Sequence, residues 1–84
     1  MTGVYILKCA DGTLYTGATK NLTNRLQQHN LGKASKYTRS RLPVDLVYWE
    51  PHSEYNSALR REAEIKKMNK SKKQCLLSST VEIL

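Results

Sequence analysis

The chain reads as an α+β domain, a small sheet flanked by helices, and three features of the 84-residue sequence predict it. Two β-rich runs, Gly3 to Cys9 and Thr13 to Gly17, stand either side of Ala10-Asp11-Gly12. An Asp-Gly pair between such runs is a strong hairpin signal. A third β-rich run lies between Pro43 and Pro51, and prolines commonly mark strand ends. Stretches with apolar residues at helical spacing follow Asn21 and Ser53. The length predicts a single domain over residues 1–84, with residues 80–84 as a frayed tail or weak edge strand.

The hairpin carries Tyr5 in its first strand and Tyr15 in its second. Side chains alternate along a strand, so the loop length decides whether the two rings share a face. A two-residue loop would put them on opposite faces. A three-residue loop, Ala10-Asp11-Gly12 with Gly12 in a left-handed conformation, pairs Tyr5 with Gly17 and Tyr15 with Leu7. The three-residue loop is the expected one. It sets two phenols on one face beside a glycine, where a substrate backbone can approach.

Next comes a helix from Asn21 to Gly32, with Asn21 as N-cap and Gly32 as its stop. Leu22 and Leu26 form its buried stripe. Arg25 and His29, also four apart, share a neighbouring face, as independent solvated groups or as a pair aimed at an anion. Lys33 to Arg41 carries four cations, no acid, a tyrosine and three hydroxyls. Lys33, Lys36, Tyr37, Thr38, Arg39 and Arg41, with Lys8 from the first strand, are the candidate phosphate contacts.

In the third strand Val44, Leu46 and Tyr48 alternate with Asp45, Val47 and Trp49, which predicts a central or doubly covered strand. The longest helix runs from Ser53 to Asn69, capped by Ser53, with Tyr55, Ala58, Leu59, Ile65 and Met68 as its apolar stripe. Glu62 falls inside that stripe. A carboxylate there must be paired or hold a metal. Glu64 points the other way, among cations. A last short helix, Lys70 to Ser79, docks through Leu76 and Leu77 and leaves its lysines in solvent.

The composition narrows the partners. There are 14 Lys+Arg against 7 Asp+Glu, a formal charge of +7, which suits a polyanion such as nucleic acid. Cys9 and Cys75 lack metal-type spacing and read as reduced, buried thiols. A zinc site made from them with His29 and His52 is not favoured by the spacing. No apolar run approaches a signal core or membrane span, so the expectation is a soluble, cytoplasmic protein without a membrane partner.

Tyr5, Tyr15, Arg25, His29 and Glu62, in that order, resemble the GIY-YIG nuclease family, in particular its small stand-alone members. The first motif stands here as Gly3-Val4-Tyr5 and the second as Tyr15-Thr16-Gly17. Arg25, His29 and Glu62 fall where the family carries a first-helix arginine, a histidine found in some branches, and a metal-binding glutamate. The resemblance covers nearly the whole chain and implies a three-stranded antiparallel sheet flanked by helices. It also implies a metal-dependent endonuclease that hydrolyses phosphodiester bonds, most readily in DNA, with low sequence specificity and selectivity for nucleic-acid structure. Glu62 would bind Mg²⁺ (or Mn²⁺) with water and a phosphate oxygen, and Arg25 would stabilise transition-state charge. Tyr5 would accept the water's proton, with its phenol made more acidic by Arg25, His29, Lys8 and the metal. Tyr15 would position the water or phosphate, and His29 is an alternative relay. Where many members carry an asparagine beyond the glutamate, this chain has Gln74-Cys75. That departure leaves a catalytically weak nucleic-acid-binding module as the alternative.

Overall fold

The computed structural model describes residues 1–78. The expected tail at 80–84 and the final position of the last predicted helix lie outside the described residues. The elements are β1 (Gly3–Lys8), β2 (Leu14–Thr19), α1 (Leu22–Asn30), α2 (Lys36–Arg39), β3 (Asp45–Pro51), α3 (Tyr55–Lys66) and α4 (Lys70–Ser78).

The hairpin has the three-residue loop. Tyr5 pairs with Gly17 and Leu7 with Tyr15. The Cys9 amide continues the ladder to the Thr13 carbonyl at 2.9 Å, and Gly12 takes φ +85°. Asp11 accepts from the Thr13 amide at 3.1 Å and from its hydroxyl at 2.6 Å, which holds the loop in shape.

The sheet order is β2-β1-β3, with both pairs antiparallel. The central strand is therefore β1, and the third strand, read as central or doubly covered, is an edge with apolar contacts on both faces. Pro51 suits that edge because it has no N–H to offer a further strand. The alternation expected in β3 is also broken. The register against β1 slips between Ile6 and Leu7, so Ile6 faces Tyr48 while Leu7 faces Leu46. This bulge sends Tyr48 to the Val4/Ile6 side and leaves Val44 and Leu46 on the Tyr5/Leu7 side.

Two cores result, one on each face of β1. Val4, Ile6 and Tyr48 pack under Ala58 and Ile65 of α3, with Leu76 and Leu77 docking α4 as expected. Tyr5, Leu7, Cys9 and Val44 pack under Leu22 and Leu26 of α1, with Leu42 and Trp49. Val4, Ile6, Leu7 and Ile65 are fully enclosed, each worth about 1.5–3 kcal/mol of burial.

Three local expectations are corrected. The longest helix begins at Tyr55, and Glu54 occupies the N-cap position without a side-chain cap, so Ser53 does not cap it. Leu59 is 39% exposed and lies off the buried stripe. Arg61 and Glu62, both half-buried, take the positions between Ala58 and Ile65. Cys75 is exposed, whereas Cys9 is buried, and both are free thiols.

Gly3 lies under the Trp49 ring and the Glu50 carbonyl, where a Cβ would overlap both. Gly3→Ala is expected to cost about 1–3 kcal/mol in urea unfolding, the range for overpacking a tight site. Gly12→Ala meets nothing in space and should cost about 1–2 kcal/mol through its left-handed backbone alone.

Candidate active site

Each candidate side chain reaches the site from a different element. Tyr5 comes from the central strand, and its ring lies over Gly17 of the outermost strand, where a Cβ would overlap the phenol oxygen and the ring. The glycine of the second motif is thus the space that the tyrosine of the first motif fills. Asn21 caps α1 by accepting from the Asn24 amide at 3.1 Å, and this sets the rotation of Arg25 and His29.

His29 is fully buried, so it is neither a solvated base nor exposed to an anion. Its Nε2 lies 2.8 Å from the Tyr5 hydroxyl and its Nδ1 lies 2.9 Å from the Thr38 hydroxyl. Its ring stands edge-on to both tyrosines, 5.6 Å from Tyr5 and 5.3 Å from Tyr15, and the tyrosine centroids are 6.5 Å apart. The three rings form a closed triangle on one face of the sheet.

Two further charged groups bear on the titration of Tyr5. Burial is the largest influence on its phenol and holds the proton on. Tyr15 and Glu62 add to that effect, and Arg25 opposes it. Arg25 from α1 and Glu62 from α3 thus act on one hydroxyl with opposite sign. Among the protein's own groups, desolvation of Tyr5 outweighs the Arg25 cation. Lys8 alternates with Leu7 on β1 and is exposed. Burial, then Arg25, lowers the pKa of His29 and favours its neutral form.

Glu62 is partly buried and pairs with Lys66, one turn on, at 3.1 Å. Among the described residues no three His, Cys, Asp or Glu side chains are grouped to hold a metal ion. A single partly solvated carboxylate does not suit structural zinc. It does fit Mg²⁺ or Mn²⁺, which keeps water ligands and takes phosphate oxygens from its substrate.

The basic segment is more ordered than a solvated loop. Ser35 caps α2 through the Tyr37 amide at 3.1 Å. Tyr37 stacks on Tyr15 with centroids 5.9 Å apart, and the Arg41 guanidinium lies over the Tyr37 ring, 3.9 Å from its centroid. Arg41 also pairs with Asp11 of the hairpin loop at 2.9 Å. Lys33, Lys36 and Arg39 are exposed, but Thr38 is fully buried on His29 and has no surface for a phosphate.

Sequence reasoning missed one polar cluster. Glu50 accepts from the Tyr48 hydroxyl and from Arg61 Nε at 3.1 and 3.2 Å, and lies 2.6 Å from His52 Nε2. His52 Nδ1 lies 2.7 Å from the Ser57 hydroxyl. The cluster ties β3 to α3, and it pushes the Tyr48 phenol up to about 12, by burial first and then by Glu50. Its one legible signal was the same-face spacing of Tyr48, Glu50 and His52; the partner helix could not be read locally.

Residues 1–74 match the family model of the GIY-YIG catalytic domain, and the chain belongs to the GIY-YIG family. Such a domain implies nuclease activity in general, action on nucleic acid and the general use of divalent metal ions. Its relatives include proteins named UPF0213. One from Syntrophus aciditrophicus is 51% identical over 94% of this chain and 92% of its own length. One from Natronomonas pharaonis is 47% identical over 89% and 88%. The solution NMR structure of a UPF0213 protein from Bacillus halodurans superposes with a TM-score of 0.61 at 42% identity, covering 92% of this chain and 82% of that one. No helix among the described residues is long and apolar enough to cross a membrane.

Two outcomes follow for the ring triangle. Gly17→Ala should displace Tyr5 from His29 and lower stability by about 1–3 kcal/mol, read as a loss of the two-ring contact by NMR. Because the folded state depresses the His29 pKa below 6.5, the unfolded chain binds the extra proton first. Stability should therefore fall as pH drops from about 7.5 to about 5.5, and His29→Gln should flatten that slope in urea midpoints.

Proposed function

We propose that this chain is a metal-dependent endonuclease that hydrolyses phosphodiester bonds in DNA, with low intrinsic sequence specificity and selectivity for DNA structure. The observation that carries the reading is the cluster of Tyr5, Tyr15 and His29 on one face of the sheet, with the Tyr5 hydroxyl 2.8 Å from His29 Nε2, in a chain whose residues 1–74 match the GIY-YIG catalytic domain.

Arg25 stabilises the charge that builds on the phosphate. Glu62, paired here with Lys66, would hold Mg²⁺ or Mn²⁺, which would supply Lewis-acid polarisation of a phosphate oxygen. The attacking water sits against the two phenols. Tyr15, half-buried on the outermost strand, is the one it meets from solvent and orients it. Tyr5 is too strongly held in its protonated form to act as free phenolate. It takes the water's proton only as it gives its own to His29, 2.8 Å away. Lys33, Lys36, Arg39, Tyr37 and Arg41 form the surface that meets the DNA backbone, in a chain of net charge +7.

The test incubates the chain with supercoiled plasmid, single strands and branched DNA, with Mg²⁺ or EDTA. Cleavage is expected with Mg²⁺ alone, and Glu62→Ala and Arg25→Ala should each lower it by about 10²–10³-fold. Cleavage that survives EDTA or Glu62→Ala would sink the reading. Binding should weaken steeply as salt rises from about 50 to 200 mM, because phosphate contacts release counterions. A salt-independent affinity would remove nucleic acid as the partner.

A further inference from the structure

The buried triangle has a direction, and a residue outside it sets that direction. The Thr38 hydroxyl has a single hydrogen, and it is placed to donate to the Ser35 carbonyl one turn back, at 3.4 Å. A carbonyl only accepts. With that hydrogen on the Ser35 carbonyl, the Thr38 oxygen offers a lone pair to His29 Nδ1, 2.9 Å away, and Nδ1 carries the ring proton. A neutral imidazole has only one, so Nε2 is bare. The Tyr5 hydroxyl at 2.8 Å then donates to it. Thr38 and His29 are fully buried, so water does not compete for the bond between them. Arg25 lies one turn away on α1 and the Tyr15 ring stands edge-on at 5.3 Å, while the hydrogen-bond partner of Nδ1 is Thr38.

We propose that Thr38 is a positioning residue: its hydroxyl accepts the His29 Nδ1 proton and so leaves Nε2 as the acceptor for Tyr5. The catalytic consequence rests on the nuclease reading above. As the water's oxygen bonds to phosphorus, its proton passes to Tyr5 and the Tyr5 proton passes to Nε2. His29 then holds a proton on each nitrogen. The bond to the leaving oxygen breaks, that oxygen is protonated from solvent, and His29 returns its Nε2 proton through Tyr5 to solvent. With the opposite tautomer Nε2 would already be protonated and could take nothing from Tyr5. Thr38 thus makes the short α2 helix, which also carries Tyr37 onto Tyr15, part of the proton path.

The experiment is long-range ¹H–¹⁵N NMR of the imidazoles in the labelled full-length chain at about pH 7.5, where the unperturbed imidazole is mostly neutral. His52→Asn assigns the two rings. Wild type should show His29 protonated on Nδ1. Thr38→Val, which keeps the shape and removes the acceptor, should move the proton to Nε2 or to a mixture, and Thr38→Ser should restore the wild-type pattern. In plasmid cleavage, Thr38→Val should lower kcat at least ~10-fold with KM near wild type, and Thr38→Ser should recover it. A wild-type His29 protonated on Nε2, or a tautomer unmoved in a folded Thr38→Val, overturns the assignment. If Thr38→Val does not fold, the wild-type and Thr38→Ser spectra decide it. If the tautomer behaves as stated but no DNA is cut even by wild type, the positioning role of Thr38 stands and the nuclease reading falls.

Discussion

Side chains alternate along a strand, so one residue more or fewer in the loop between β1 and β2 turns every β2 side chain to the other face. The three-residue loop Ala10-Asp11-Gly12 is therefore the constraint on which the candidate site depends. It puts Gly17 opposite Tyr5 and Tyr15 opposite Leu7. The missing side chain at Gly17 lets the Tyr5 ring lie across the edge strand, and Tyr15 joins it on the same face. His29 can then close a triangle that would have no third member in the other register. The loop is in turn braced from outside, through Asp11 and Arg41, by the segment that carries Tyr37 onto Tyr15.

The sheet separates two tasks. On the Tyr5/Leu7 face, α1 and α2 supply the buried His29 and Thr38. On the Val4/Ile6 face, α3 supplies neighbours with opposite duties. Arg61 is held by Glu50 at the β3 side, and Glu62, about 100° further round the helix, acts on Tyr5. The Glu50 cluster locks the roll of α3 about its axis. A helix with no side-chain N-cap has that polar anchor to the sheet in addition to its apolar stripe.

The charge of the chain and the charge of the site obey different rules. The net charge of +7 comes mostly from exposed lysines and arginines, where solvent screens each one and their sum attracts polyanions. At Tyr5 desolvation dominates, so a neighbouring arginine does not make the phenol acidic. In the proposed mechanism the proton therefore passes by concerted transfer in place of a free phenolate, which is why the orientation of His29 matters.

Much of this protein was legible locally. Loop chemistry at Asp11-Gly12 determined the hairpin register, helix signals at Asn21 and Gly32 determined α1, and the strand between its prolines was plain. The order of Tyr5, Tyr15, Arg25 and Glu62 was enough to indicate the family. Strand order and the bulge at Val47 were settled only by packing, because β3 must serve two cores while pairing with one strand. The same is true of His29 and Thr38. Their sequence spacing on basic, polar segments suggested solvent or phosphate, and only the closing of α2 over α1 buried them against each other. Burial also outweighs the neighbouring arginine at Tyr5, because desolvation depends on every atom packed around a group and not on the charges written near it in the chain.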